Sequence, residues 1–142
     1  MKDINKALRK AYNAKLTTLI TVPVYANYAP ESAVIGDGRY IVFSNVTNND
    51  KSTKSSSDVS AIMQVAIYTF KDVENDGDAI DDLADQVFAA ILPTPQAILN
   101  LGIGLQMVST ELNSDQTQEP MVIGDRVYID RIIQFKHEIF IL

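Results

Sequence analysis

The sequence predicts an α+β domain of two helices and four to five strands, and three observations carry that expectation. Two segments place apolar residues at helical spacing. Several others alternate apolar and polar residues or are rich in β-branched and aromatic types, and a twelve-residue polar stretch, residues 47–58, parts two of these. With 142 residues, 46% of them hydrophobic, the chain has enough apolar surface for one core, so residues 1–142 are expected to form a single domain.

The first helix is read from Ile4, Ala7, Leu8, Ala11, Tyr12, Leu16 and Leu19, which fall on one stripe, with Lys6, Arg9, Lys10 and Asn13 off it. In "ITVPVYAN" Pro23 forbids a helix and the β-branched and aromatic residues favour a short edge strand. Turn residues Gly36, Asp37 and Gly38 then lead into a strand over 40–46. The following "TNNDKSTKSSSD" has no apolar residue with which to offset the entropy of ordering, and so reads as a long, mobile polar hairpin arm at about 47–58.

"SAIMQVAIYTF" reads as a central strand with Met63, Val65 and Ile67 inward and Gln64 and Ala66 outward. Ile80, Leu83, Ala84, Val87, Phe88, Ile91 and Leu92 return to helical spacing until Pro93 and Pro95 stop the run. A further strand begins near Leu105, and "NSDQTQEPMVIGD" is expected to be a polar connection with a turn. The final segment places Val127, Ile129, Ile133, Phe135, Ile139 and Ile141 on one face and Asp130, Gln134, Lys136 and Glu138 on the other, a long half-buried strand.

Composition excludes several function classes. Cysteine is absent and His137 is the only histidine, so a single chain carries no disulfide, thiolate chemistry or common zinc site. A net charge of −6 and a pI near 4.6 argue against sequence-specific DNA binding. The opening "MKDINKALRK" has no signal-peptide core, and no apolar run reaches the roughly 20 residues of a membrane span. A soluble protein made in the cytoplasm, without membrane contact, is the expectation.

The acidic stretch "KDVENDGDAIDDLADQ" resembles a calcium loop in its first half, with Asp72, Glu74, Asp76 and Gly77 at the right spacing. The closing bidentate glutamate is missing, since Leu83 stands there. Asn75 or Asp76 as N-cap, with Asp78, Asp81 and Asp82 near the positive end of the helix dipole, accounts for the same residues as a helix start. No metal or cofactor is expected. No phosphate-loop spacing or nucleophile elbow occurs either, so no enzyme is expected.

Two features point to contact surfaces. Lys51 and Lys54 make the arm locally basic, and with Ser52 they fit either a solvated loop or a contact element. The closing Ile139, Phe140, Ile141 and Leu142 are apolar on both strand faces and need cover, from this subunit or a neighbour, worth roughly 1.5–3 kcal/mol per side chain. Arg131 and His137 interrupt the apolar face of the same strand, as packing or interface residues.

In order along nearly the whole chain, "INKALRKAYNAKL", "VPVYANYAP", "RYIVFSN", "VSAIMQVAIYTF", "DAIDDLADQVFAAIL" and "DRVYIDRIIQFKHEI" resemble the tail terminator or tail completion proteins of tailed bacteriophages. The resemblance rests on residue type and spacing. It implies a mainly antiparallel sheet with both helices on one face. It also implies a structural virion protein forming a homo-oligomeric ring, six-fold or twelve-fold, at the head-proximal end of the tail or neck. Such a ring caps the tail tube or joins it to the head connector or a portal-side adaptor, and DNA passes through it without sequence-specific binding. From a different class, the alternative is a small monomeric protein-binding module acting by sheet-edge or arm contacts.

Overall fold

A computed structural model describes residues 3–30, 39–53, 57–72, 77–124 and 126–142. In chain order the elements are α1 (Asn5–Leu19), β1 (Val24–Ala26), β2 (Arg39–Asp50), β3 (Asp58–Asp72), α2 (Gly77–Ile91), β4 (Leu105–Thr117), β5 (Met121–Ile123) and β6 (Arg126–Ile141). The sheet has the order β1-β2-β3-β6-β4, and β5 also pairs with β6. All pairings are antiparallel except β1 with β2, which is parallel. The fold is α+β with a mixed six-stranded sheet, and two of the strands are only three residues long.

Both helices cover the same sheet face. That face is set by the odd-numbered residues of β3 and β6: Val59, Met63, Val65 and Ile67 pair in register with Ile139, Phe135, Ile133 and Arg131. On α1, Leu8, Tyr12 and Leu16 are fully buried, and the Tyr12 ring stacks 6.1 Å from Phe43. On α2, Ile80, Leu83, Ala84, Val87 and Ile91 are buried, and Phe88 meets Phe135 edge-on at 5.9 Å. Together these side chains form one continuous core. It is the predicted helical stripes closing over the predicted strand alternation.

Four expectations differ in detail. Leu19 leaves the stripe and is half exposed, because the helix ends there and the extended backbone of Ile20 swings that side chain inward instead. Ala66, expected outward, is buried on the far face, where its strand runs between Val42 and Ile132. The polar 113–117 segment continues β4, with β5 following, so most of the predicted connection is edge strand. Its outer backbone edge and much of its surface face solvent, which a polar sequence tolerates. Finally, β2 takes up Thr47–Asp50 and β3 takes up Asp58, so strand flanks the arm on both sides. The expected N-cap, Asn75 or Asp76, lies outside the described residues, as do Gly36 to Gly38.

Candidate interaction surfaces

The base of the arm and the end of the chain meet. Asp58 is the register partner of Phe140, and the Ile141 amide donates to the Ser57 carbonyl at 2.8 Å. The Leu142 amide donates to the Gly104 carbonyl at 2.9 Å, adding the 102–104 turn to the same end of the sheet. Three segments remote in sequence therefore build one surface. It exposes Phe140 (43%), Leu142 (79%) and Ile103 (100%) beside the polar arm.

The arm residues are tied locally. The Lys51 amide donates to the Asp58 carbonyl at 2.8 Å, and its ammonium lies 3.4 Å from Glu138 Oε1. The Ser52 amide donates to Asp50 Oδ1 at 2.9 Å, and hydrogen bonding from Ser52 holds that carboxyl below its ordinary range. Ser52 Oγ also accepts from the Asp58 amide at 3.2 Å. Lys54 lies outside the described residues.

Two of the predicted contact residues, Ile139 and His137, are buried, and a third, Arg131, is part-exposed and bonded within the subunit. Ile139 is buried between β3 and β4, opposite Val59 and Met107. Arg131 makes a two-point contact with Asp115, Nε to Oδ1 at 2.9 Å and Nη2 to Oδ2 at 2.7 Å, and reaches Asp81 through Nη1 at 2.9 Å. It thus ties β6 to β4 and α2, and the hydrogen bonds it donates to Asp115 raise its pKa further.

His137 is fully buried, so it packs the core and presents no surface. Tyr12 Oη lies 2.5 Å from its Nε2, and Thr110 Oγ1 lies 2.9 Å from its Nδ1. Thr110 Oγ1 donates to Met107 Sδ at 3.3 Å, so Thr110 must accept from Nδ1–H, which leaves Nε2 to accept from the Tyr12 phenol. Burial keeps both groups neutral, lowering the His137 pKa to about 4 and raising that of Tyr12. The imidazole is neutral, and both of its nitrogens are hydrogen-bonded within the core.

On the sheet face away from the helices, Tyr40 stacks on Tyr68 at 5.0 Å and meets Tyr25 at 6.2 Å. Burial raises the pKa of both Tyr40 and Tyr68, and also that of Asp130, the register partner of Tyr68. Sequence reading missed this patch and Ile103. The signal for Ile103 was present: Gly102 and Gly104 both adopt positive φ, at 86° and 87°, and lift the residue between them into solvent. Among the described residues no group of three or more His, Cys, Asp or Glu side chains is placed to hold a metal ion.

Neither a family model nor a curated protein matches the sequence. Among solved structures, a chain in the virion of a native gene transfer agent particle is similar over 94% of this chain and 96% of its own. The TM-score is 0.62 at 19% identity. A chain in the sheath/tube terminator of an extracellular contractile injection system, in its extended state, is similar over 92% of this chain and 55% of its own. Here the TM-score is 0.52 at 10% identity. This chain spans about half the length of that second one. At such identities the likeness is one of fold.

Proposed function

We propose that this chain is a non-enzymatic structural subunit of a phage-like tail or neck, forming a homo-oligomeric ring around the DNA channel at the head-proximal end. The observation that carries this reading is the likeness of fold over nearly the full length of both chains to a component of a gene transfer agent virion. The likeness to a sheath/tube terminator chain supports the position at the end of a tube. In this reading the end of the sheet that bears Lys51, Ser52, Phe140 and Leu142 meets an adjoining ring of the tail or connector. Its exposed apolar side chains, ringed by the polar arm, have the makeup of a contact patch. The acidic composition suits a channel that must let duplex DNA pass without holding it.

Native mass spectrometry and negative-stain microscopy of the concentrated protein test the reading. A closed assembly of one copy number with a central hole is expected. A protein that remains monomeric at every concentration overturns the ring and favours the monomeric binding module.

A further inference from the structure

Net charge conceals how the charge is divided across this fold. From Gly77 to Asp125 the sequence holds 8 acidic residues and no lysine or arginine. The rest of the chain holds all 12 basic residues against 10 acidic ones, 18 less those 8. The topology converts this division into a direction. Helix α1 packs on β1 and β2, whereas α2 packs on β3 and β6, and β1 and β4 are opposite edges of the sheet.

On the first side, Lys6, Arg9, Lys10 and Lys15 are exposed on a helix that has no acidic residue. Arg9 lines a shallow pocket with Asn27 and Asn45, which places it toward the β1 edge. On the other side, Asp85 is exposed on α2 and Glu111 on β4, where it faces Lys136 of β6 across the ladder, while Asp81 and Asp115 share Arg131. Among the described residues, none of the four α1 cations, nor Asp85 or Glu111, has an ion-pair partner within the chain.

Local structure does not account for this separation. Lys6 and Lys10 repel at i,i+4, as do Asp81 and Asp85, and the cations of α1 begin in its first turn, where the helix dipole opposes them. The dipole rewards acidic residues at the start of α2, but it does not reach Asp85; on β4, Glu111 faces only Lys136 across the ladder, and that cation is itself 3.8 Å from Glu138. Each side is therefore less stable alone than one of mixed charge, and each lacks what the other carries.

We propose that these sides are the two halves of one heterologous contact, the basic α1 side of one copy seated against the acidic α2–β4 side of the next. A head-to-tail contact of this kind, repeated by a closing rotation, makes a ring. The inference rests on the ring reading above and deepens it, because the contact runs across the strands, leaving the end with Phe140 and Leu142 for an adjoining ring.

Four proteins test the proposal: the wild type, Lys6→Glu with Arg9→Glu, Asp85→Lys with Glu111→Lys, and all four changes combined. Assembly is followed by native mass spectrometry and light scattering at about 0.05 M and about 0.5 M salt. The wild type is expected to assemble at low salt and to weaken as salt rises. Each two-site variant, now carrying one sign on both sides, is expected to self-associate about a hundredfold more weakly or less. An equimolar mixture of the two should co-assemble, and the combined variant, with its polarity exchanged, should assemble by itself. All four should keep the wild-type circular dichroism, and the melting transition should drop only slightly in the two that carry Glu111→Lys, which sets a like charge opposite Lys136. Two-site variants that assemble like the wild type, or a mixture and combined variant that both stay apart, overturn this contact while leaving the ring standing. A wild type that is monomeric under every condition overturns the ring itself, and this contact with it.

Discussion

The phenol of Tyr12 donates to Nε2 of His137 at 2.5 Å, so that α1 and β6 share a buried hydrogen bond across 125 residues of sequence. The chain of bonds continues through Thr110 to Met107, whose sulfur also accepts from the Leu99 amide at 3.3 Å. One line of polar contacts thereby fixes α1, β6, β4 and the segment before β4 against one another. Its members are all satisfied, the condition under which a buried polar network supports a unique core.

Tyr12→Phe keeps the ring and its stacking on Phe43 but leaves His137 Nε2 without a donor in a site closed to water. A buried acceptor left unpaired costs about 1–3 kcal/mol. Denaturant unfolding followed by circular dichroism should show that loss as a lower midpoint with an unchanged slope. A midpoint equal to that of the wild type would mean the bond contributes nothing.

The same histidine sets a pH dependence. Its folded pKa, lowered to about 4 by burial, lies below the ordinary 6.5. As pH falls through 6.5 the unfolded chain takes up a proton that the folded chain refuses until about pH 4. Stability should therefore drop across that window by about 1.4 kcal/mol per unit, roughly 3 kcal/mol in all, and this contribution should then level off. His137→Phe, less stable at neutral pH, should lack that slope. The difference between the two proteins across the window isolates the imidazole from carboxylates such as Asp130, whose raised pKa works in the opposite sense.

Arg131 supports a third expectation. Its two-point contact with Asp115 and the bond to Asp81 join three elements at a partly exposed site, with the guanidinium side chain 18% accessible. Arg131→Met should cost about 1–2 kcal/mol, less than a fully buried pair because Asp115 can rehydrate. Arg131→Lys should recover less than half of this, since an ammonium cannot make the planar two-point contact. Thermal melts of the three proteins at one salt concentration measure both differences.

Much of the fold was legible because its core obeys two periods. The Leu8, Tyr12 and Leu16 stripe and the Ile129, Ile133 and Phe135 alternation identify their elements without any partner. What escaped was whatever depends on register. Thr47–Asp50 and residues 113–117 look like loop because their exposed side chains carry no apolar signal, yet their backbones complete ladders with β3 and β6. His137 stood out as a break in an apolar face, but its partners Tyr12 and Thr110 lie on other elements, so its role was hidden. The meeting of Ser57 with Ile141 was hidden for the same reason.

The last four residues divide into two functions that single substitutions can separate. Ile139 is buried between Val59 and Met107, and Ile139→Ala should cost about 2–5 kcal/mol through lost burial and the cavity left behind. Phe140 and Leu142 point outward at 43% and 79% exposure, so Phe140→Ser with Leu142→Ser should change unfolding stability by only about 0.5 kcal/mol. If that end of the sheet meets an adjoining ring, the double serine variant should form its own ring normally yet stack or attach to tail tubes far less than the wild type. Sedimentation of ring-sized particles with and without purified tubes reads both properties at once. A double variant that unfolds as readily as Ile139→Ala would show that Phe140 and Leu142 are held within the subunit; one that binds tubes fully would place the contact elsewhere on the ring.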